Sequence, residues 1–130
     1  REKLNRVIKK REGFRPFAPS VLETHASKYF DIKEPVPYMN VVAKTKVKYL
    51  PAATHIDGTS RVQTVNKSQN PRYYKLIEKV GKICTIPVIL NTSFNLKDQT
   101  ITLSPKQAID RYLSSEIDVL VIDNFLILKQ

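Results

Sequence analysis

Apolar positions along the chain recur with two different periods, broken by proline, glycine and Asx pairs. Asn70-Pro71 opens a run in which Tyr73, Leu76, Ile77, Val80, Ile83 and Cys84 share one face, which predicts an amphipathic helix. Ser104-Pro105 supplies an N-cap and a proline at the first helical position, and Ala108, Ile109, Tyr112 and Leu113 then line one face. Leu4, Val7, Ile8 and Arg11 fall on a helical face with no N-cap before them, so the chain is expected to begin inside a helix, N-terminally truncated, and to leave it near Gly13. Thr24 to Phe30 predicts one short helix. Strand patterns fall at Tyr38 to Val47, at Ser60 to Val65 after the Asp57-Gly58 turn, and at Pro87 to Leu90. That last run is short and wholly apolar, as a central strand would be. Val119 to Ile122 and Phe125 to Leu128, joined through Asp123-Asn124, predict two strands or a hairpin. Pro16 and Pro19 leave Phe14 to Leu22 extended, and the prolines of Asp31 to Pro37 predict a loop. The alternation of strands and helices predicts an α/β (α+β) chain with a mixed sheet.

Composition narrows the class. In 130 residues, 42% hydrophobic content supports a core, and three glycines with eight scattered prolines exclude a low-complexity chain. Residues 1–130 therefore read as one domain or part of one. No apolar run approaches the length of a membrane span, and nothing reads as a signal peptide. Cys84 is the sole cysteine, which excludes an intramolecular disulfide and a zinc-ligand set, and a reducing, cytoplasmic setting is the default. Net charge is +10, half of it within Arg1 to Arg15. Such a field favours anionic partners without choosing among phosphates, nucleotides, nucleic acid and acidic membranes, and it equally suits a merely solvated basic face.

Three clusters could carry chemistry. Lys9-Lys10-Arg11-Glu12-Gly13-Phe14-Arg15 gathers cations at a helix end, where they either bind phosphate or simply complement the helix dipole. Thr54 to Thr64 packs His55, Asp57, Thr59 and Arg61 around a glycine turn. His55 alone reads as a hydrogen-bonded structural residue, whereas Arg61, on a strand, points either into a site or into solvent. Asn91-Thr92-Ser93-Phe94-Asn95 follows the Pro87 to Leu90 run, where α/β sheets place ligands, although an ordinary turn reads the same way. No P-loop or nucleophile elbow is present, so phosphate binding would rest on side chains.

Taken in order, REGFRPFAPSVL, THIDGTSRVQTV, NPRYYKLIE, PVILNTSFN and the final ID-VLVIDNFLI closely resemble the C-terminal domain of the carbamoyltransferase family, which includes nodulation-factor, tobramycin and cephamycin carbamoyltransferases. The resemblance implies a YrdC-like fold, a twisted mixed β-sheet with flanking helices. It implies formation of carbamoyl adenylate from carbamoyl phosphate and ATP, with Mg2+ expected alongside the nucleotide. The adenylate would pass to a larger N-terminal transfer domain of the same polypeptide, which carries iron and presents a substrate hydroxyl. By motif position, Lys9, Arg15, Arg61 and Ser93 would be catalytic. His55, Asp57, Thr59, Asn91, Asn95 and Arg11 would bind substrate or nucleotide, and no metal site is implied in this chain. Transfer chemistry of this kind depends mainly on positioning and charge stabilisation, which these residue types supply.

Two departures stand out. Asp98-Gln99-Thr100 replaces a GEP-like tripeptide that usually follows NTSFN, and an arginine-containing GPRxLGxRS segment expected just before Arg1 is absent. The isolated chain is therefore expected to be a poor catalyst. The rival readings are a basic nucleic-acid-binding module, against which core-like aromatic spacing and the lack of an RNP motif both argue, and a nucleotide-binding domain without turnover.

Overall fold

A computed structural model describes residues 1–10 and 12–129. Two compact units emerge, one formed by Pro16–Thr92 and the other by Arg1–Arg15 with Ser93–Gln130. The architecture is α+β, with parallel and antiparallel strand pairs together in one sheet.

The unit from Pro16 to Thr92 is built on β1 (Ala18–Leu22), whose five residues are all buried. It lies between β4 (Gln63–Val65), to which it is parallel, and β5 (Val88–Asn91), to which it is antiparallel. The central strand is thus the proline-bearing segment, and the apolar run expected at the centre forms an edge. Pro19 is tolerated because pairing with β4 starts only at Ser20, so no ladder bond is forfeited on that side. Strand alternation sorts the side chains onto two faces. Val21, Val62 and Val88 pack with Ala26, Tyr29 and Phe30, from the single helical turn α1 (Ala26–Tyr29) and the bridge residue after it. Leu22, Val65 and Ile89 pack instead on Tyr73, Tyr74 and Ile77 of α2 (Pro71–Cys84).

Asn70 caps α2 as expected, its side chain accepting from the Tyr73 N–H. The buried face is rotated from the predicted one, since Leu76 and Ile83 are exposed. Gly81 explains the rotation: a Cβ there would stand 2.8 Å from the Cβ of Pro87, so the helix comes closest to the chain entering β5 at its one glycine.

The predicted Tyr38 to Val47 strand shrinks to β2 (Val42–Lys44) plus an isolated bridge from Thr45 to Phe30. Upstream, Val36 exchanges bonds with Thr64, and Met39 enters left-handed backbone at φ 54°, which turns the chain away. The Ser60 to Val65 strand exists in two pieces, β3 (Thr59–Arg61) paired to β2 and β4 paired to β1, with fully buried Val62 at the switch.

In the other unit, α3 (Pro105–Leu113) packs Ala108 and Tyr112 on the hairpin of β6 (Val119–Ile122) and β7 (Phe125–Leu128) through Leu120, Ile122 and Ile127. Ser104 caps α3 as predicted, but Ile109 and Leu113, expected inward, face out. Among the described residues no helix is long and apolar enough to cross a membrane.

Candidate anion-binding site

The N-terminal segment folds differently from the predicted amphipathic helix. Leu4–Lys9 is a π-helical turn that buries Asn5 and Lys9, while Val7 is exposed. It ends at Lys10 (φ 49°, ψ 47°), three residues before Gly13, because the left-handed backbone there closes the turn with an N–H bond to the Asn5 carbonyl. The buried Asn5 amide reaches across the reversal and donates to the carbonyls of Gly13 (3.2 Å) and Arg15 (2.7 Å). Two such bonds stabilise the loop by roughly 1 kcal/mol each and fix where Arg15 leaves the backbone.

Lys9 was expected to project among the basic side chains at a helix end. It is instead buried, and its ammonium donates to the Ser93 carbonyl and, at 3.1 Å each, to the carbonyl and Oδ1 of Asn95. An ammonium has three donors and no acceptor, so oxygens such as these are the partners its burial requires. The Ser93 hydroxyl donates to the same Asn95 Oδ1 (2.6 Å), and the Asn95 amide donates to the Gln99 carbonyl (3.0 Å). Between them, Phe94 anchors the loop from the opposite side. Its ring joins the Tyr112 cluster, and its carbonyl accepts from the Thr102 N–H and hydroxyl and from Arg111. Alternate residues of the NTSFN loop are therefore held by a cation on one side and a core on the other.

Between the Lys9 to Arg15 segment and the Ser93 to Asp98 loop lies a cavity of about 660 Å³. Lys9, Arg15, Ser93 and Asn95, all predicted from sequence, line it, together with Lys10, Glu12, Lys97 and Asp98. Arg15 lies 3.6 Å from Glu12, with both side chains more than half exposed. Bonding to its own backbone, and then the charges of Arg15 and Lys97, hold the Glu12 carboxyl below the usual carboxylate range. Asp98 occupies left-handed backbone at φ 58°, a conformation that aspartate tolerates better than most residues with a Cβ. Arg11 lies outside the described residues.

The remaining predicted residues belong to the other unit. His55, Asp57 and Thr59 build a closed turn around Gly58 (φ 80°). The His55 N–H donates to the Thr59 carbonyl at 2.7 Å, and the Asp57 carboxylate accepts from the Thr59 hydroxyl (2.7 Å) and N–H (2.9 Å). Those two bonds, the hydroxyl first, hold the Asp57 carboxyl below its usual range. Arg61 is exposed on β3. Asn91 closes a polar row across the sheet. Its amide and the Ser20 hydroxyl both donate to Gln63 Oε1, at 2.7 and 2.6 Å, while Gln63 Nε2 donates to the Pro37 carbonyl.

Sequence reading missed Asn5, Lys97 and Gln63. Asn5 sits four residues before Lys9, a helical spacing that could have flagged a shared polar face. Among the described residues, no group of three or more His, Cys, Asp or Glu side chains could hold a metal ion.

The chain is thus a mixed α+β fold with a cavity lined by cations and short polar side chains, Lys9, Lys10, Arg15, Ser93, Asn95 and Lys97 among them. Residues 1–129 match the family described as Carbamoyltransferase C-terminus, and the chain belongs to that family. It is 41% identical to nodulation protein NolO of Bradyrhizobium diazoefficiens and 40% identical to nodulation protein NolNO of Sinorhizobium fredii, in each case across the whole chain. An uncharacterised protein of Methanocaldococcus jannaschii, MJ1058, is 37% identical, also across the whole chain. The chain spans 25%, 20% and 22% of these proteins, a quarter of their length or less.

Proposed function

We propose that this chain is the part of an O-carbamoyltransferase that binds carbamoyl phosphate and ATP and forms carbamoyl adenylate. Transfer to a substrate hydroxyl belongs to an N-terminal domain of the same polypeptide, where iron is expected. The observation that carries this reading is the cavity in which Lys9, Arg15, Ser93 and Asn95 meet, in a chain of this family. Cations on an ordered loop lower the energy of the charge that accumulates on a phosphoryl group in transfer. The second Asn95 N–H, and the Ser93 hydroxyl once it turns from Asn95, offer neutral donors to a carbamoyl or phosphate oxygen. Arg61, His55, Asp57, Thr59 and Asn91 enter the proposal through their motif positions, as does Mg2+ accompanying ATP. The setting is cytoplasmic, and nucleic acid is not the partner.

Ser93→Ala tests the cavity directly in the full-length protein. The variant removes one hydroxyl at an exposed position, so the fold is retained. Loss of a hydrogen bond to a charged ligand should lower carbamoyl-phosphate-dependent release of pyrophosphate from ATP roughly tenfold or more. Unchanged kinetics would remove Ser93, and with it this loop, from the reaction.

A further inference from the structure

The β6–β7 hairpin is apolar at every ladder position, since Val119–Ile122 reads VLVI and Phe125–Leu128 reads FLIL. Strands of that composition are ordinarily covered on both faces, whereas a strand with one face in water alternates apolar with polar residues. The register sorts the eight side chains into two faces, because directly paired residues of an antiparallel ladder share a side. Leu120 pairs with Ile127 and Ile122 with Phe125, and Leu120, Ile122 and Ile127 of this face pack with Ala108 and Tyr112 of α3. On the opposite face Val119 pairs with Leu128 and Val121 with Leu126. All four are exposed, Val121 at 63% and Leu126 at 65%. No lysine, inward charge or proline interrupts them, although these are the devices by which soluble sheets protect such a surface.

We propose that this outer face of the hairpin is a docking surface for the polypeptide that precedes Arg1, and that it is buried in the full-length protein. Two observations select that occupant. The chain matches NolO and NolNO from end to end yet spans only 25% and 20% of them, and the family it matches is a C-terminus, which places most of such a polypeptide on the N-terminal side. Arg1–Arg15 also falls in the same compact unit as the hairpin, so a chain arriving at Arg1 arrives at this unit. A tethered partner acts at an effective concentration in the millimolar range, which lets a small apolar patch hold it. Size argues against a second copy. Four aliphatic side chains offer on the order of 400 Å², about half of the roughly 800 Å² that each partner of a stable complex buries. Docking of this kind is independent of the adenylate chemistry and needs only a polypeptide of the relatives' length.

Photocrosslinking of the full-length protein with Leu126 replaced by p-benzoylphenylalanine reads the occupant directly. The position is exposed within this chain, so the substitution leaves the Tyr112 cluster intact. Irradiation of the purified protein at low concentration, followed by peptide mass spectrometry, should join this side chain to a peptide N-terminal to Arg1 within the same polypeptide. Adding Val121→Lys should cut the yield of that product about fivefold or more, since an ammonium would be desolvated without a partner in the contact. Val121 is exposed as well, so the hairpin itself should fold as before. A product of twice the monomer mass would assign the face to a second copy and overturn the proposal. So would a product joined to residues 16–92, the absence of any product, or a yield that Val121→Lys leaves unchanged.

Discussion

Replacing Lys9 with methionine is expected to destabilise the protein by about 2–4 kcal/mol and to lower adenylate formation more than about a hundredfold. Methionine matches the lysine stem in bulk but donates nothing. The Ser93 carbonyl and both oxygens of Asn95 would lose the cation that gathers them, across a sequence separation of more than eighty residues. The loop would remain anchored at Phe94, through the core and through Arg111, so the fold should survive while the Ser93 and Asn95 side chains lose their aim. Arginine at the same position should recover part of the stability, because charge returns, but little of the activity, because a planar fork cannot reach the same three oxygens. Urea denaturation with steady-state kinetics separates the two effects. Stability within about 0.5 kcal/mol of wild type would show that the loop does not depend on Lys9.

The second large effect is expected at Tyr112. It is fully buried between α3 and the β6–β7 hairpin, its hydroxyl donates to the Asp118 carbonyl at 3.2 Å, and the Lys129 ammonium stands 5.1 Å from its ring centroid. Tyr112→Ala opens a cavity and should cost about 3–5 kcal/mol. Tyr112→Phe removes only the hydroxyl and should cost about 1 kcal/mol. Because Phe94 packs in the same cluster, the alanine variant should also weaken phosphate binding, whereas the phenylalanine variant should not. Equal losses in the two variants would place the weight on the hydrogen bond, not on packing.

What the sequence made legible divides along physical lines. Local chemistry was readable. Asn70-Pro71 and Ser104-Pro105 do open α2 and α3, and Asp123-Asn124 does join a hairpin, since caps and turns depend on residues within a few positions. The orientation of each helix was less readable. Gly81 turns α2 toward Pro87, and α3 buries Ala108 and Tyr112 while leaving Ile109 and Leu113 outside, because the partner surface, not the periodicity, chooses the face. The proline-bearing Ala18 to Leu22 segment gave no sign of centrality, which follows from which strands flank it. At the site, Lys9, Arg15, Ser93 and Asn95 were found by motif, and the structure brings them to one cavity. The division of labour among them was not legible. Burial of Asn5 and Lys9 looks wrong on a helical wheel and becomes favourable only when carbonyls from distant segments meet them.

If the cavity takes part in making a carbamoyl adenylate, pyrophosphate should leave ATP only when carbamoyl phosphate is present. The most direct measurement is release of pyrophosphate from ATP by the full-length protein, with and without carbamoyl phosphate and with no acceptor alcohol present. Pyrophosphate release that depends on carbamoyl phosphate and falls in both Ser93→Ala and Lys9→Met is the predicted result. Release that ignores carbamoyl phosphate, or that proceeds at the wild-type rate in both variants, would contradict it.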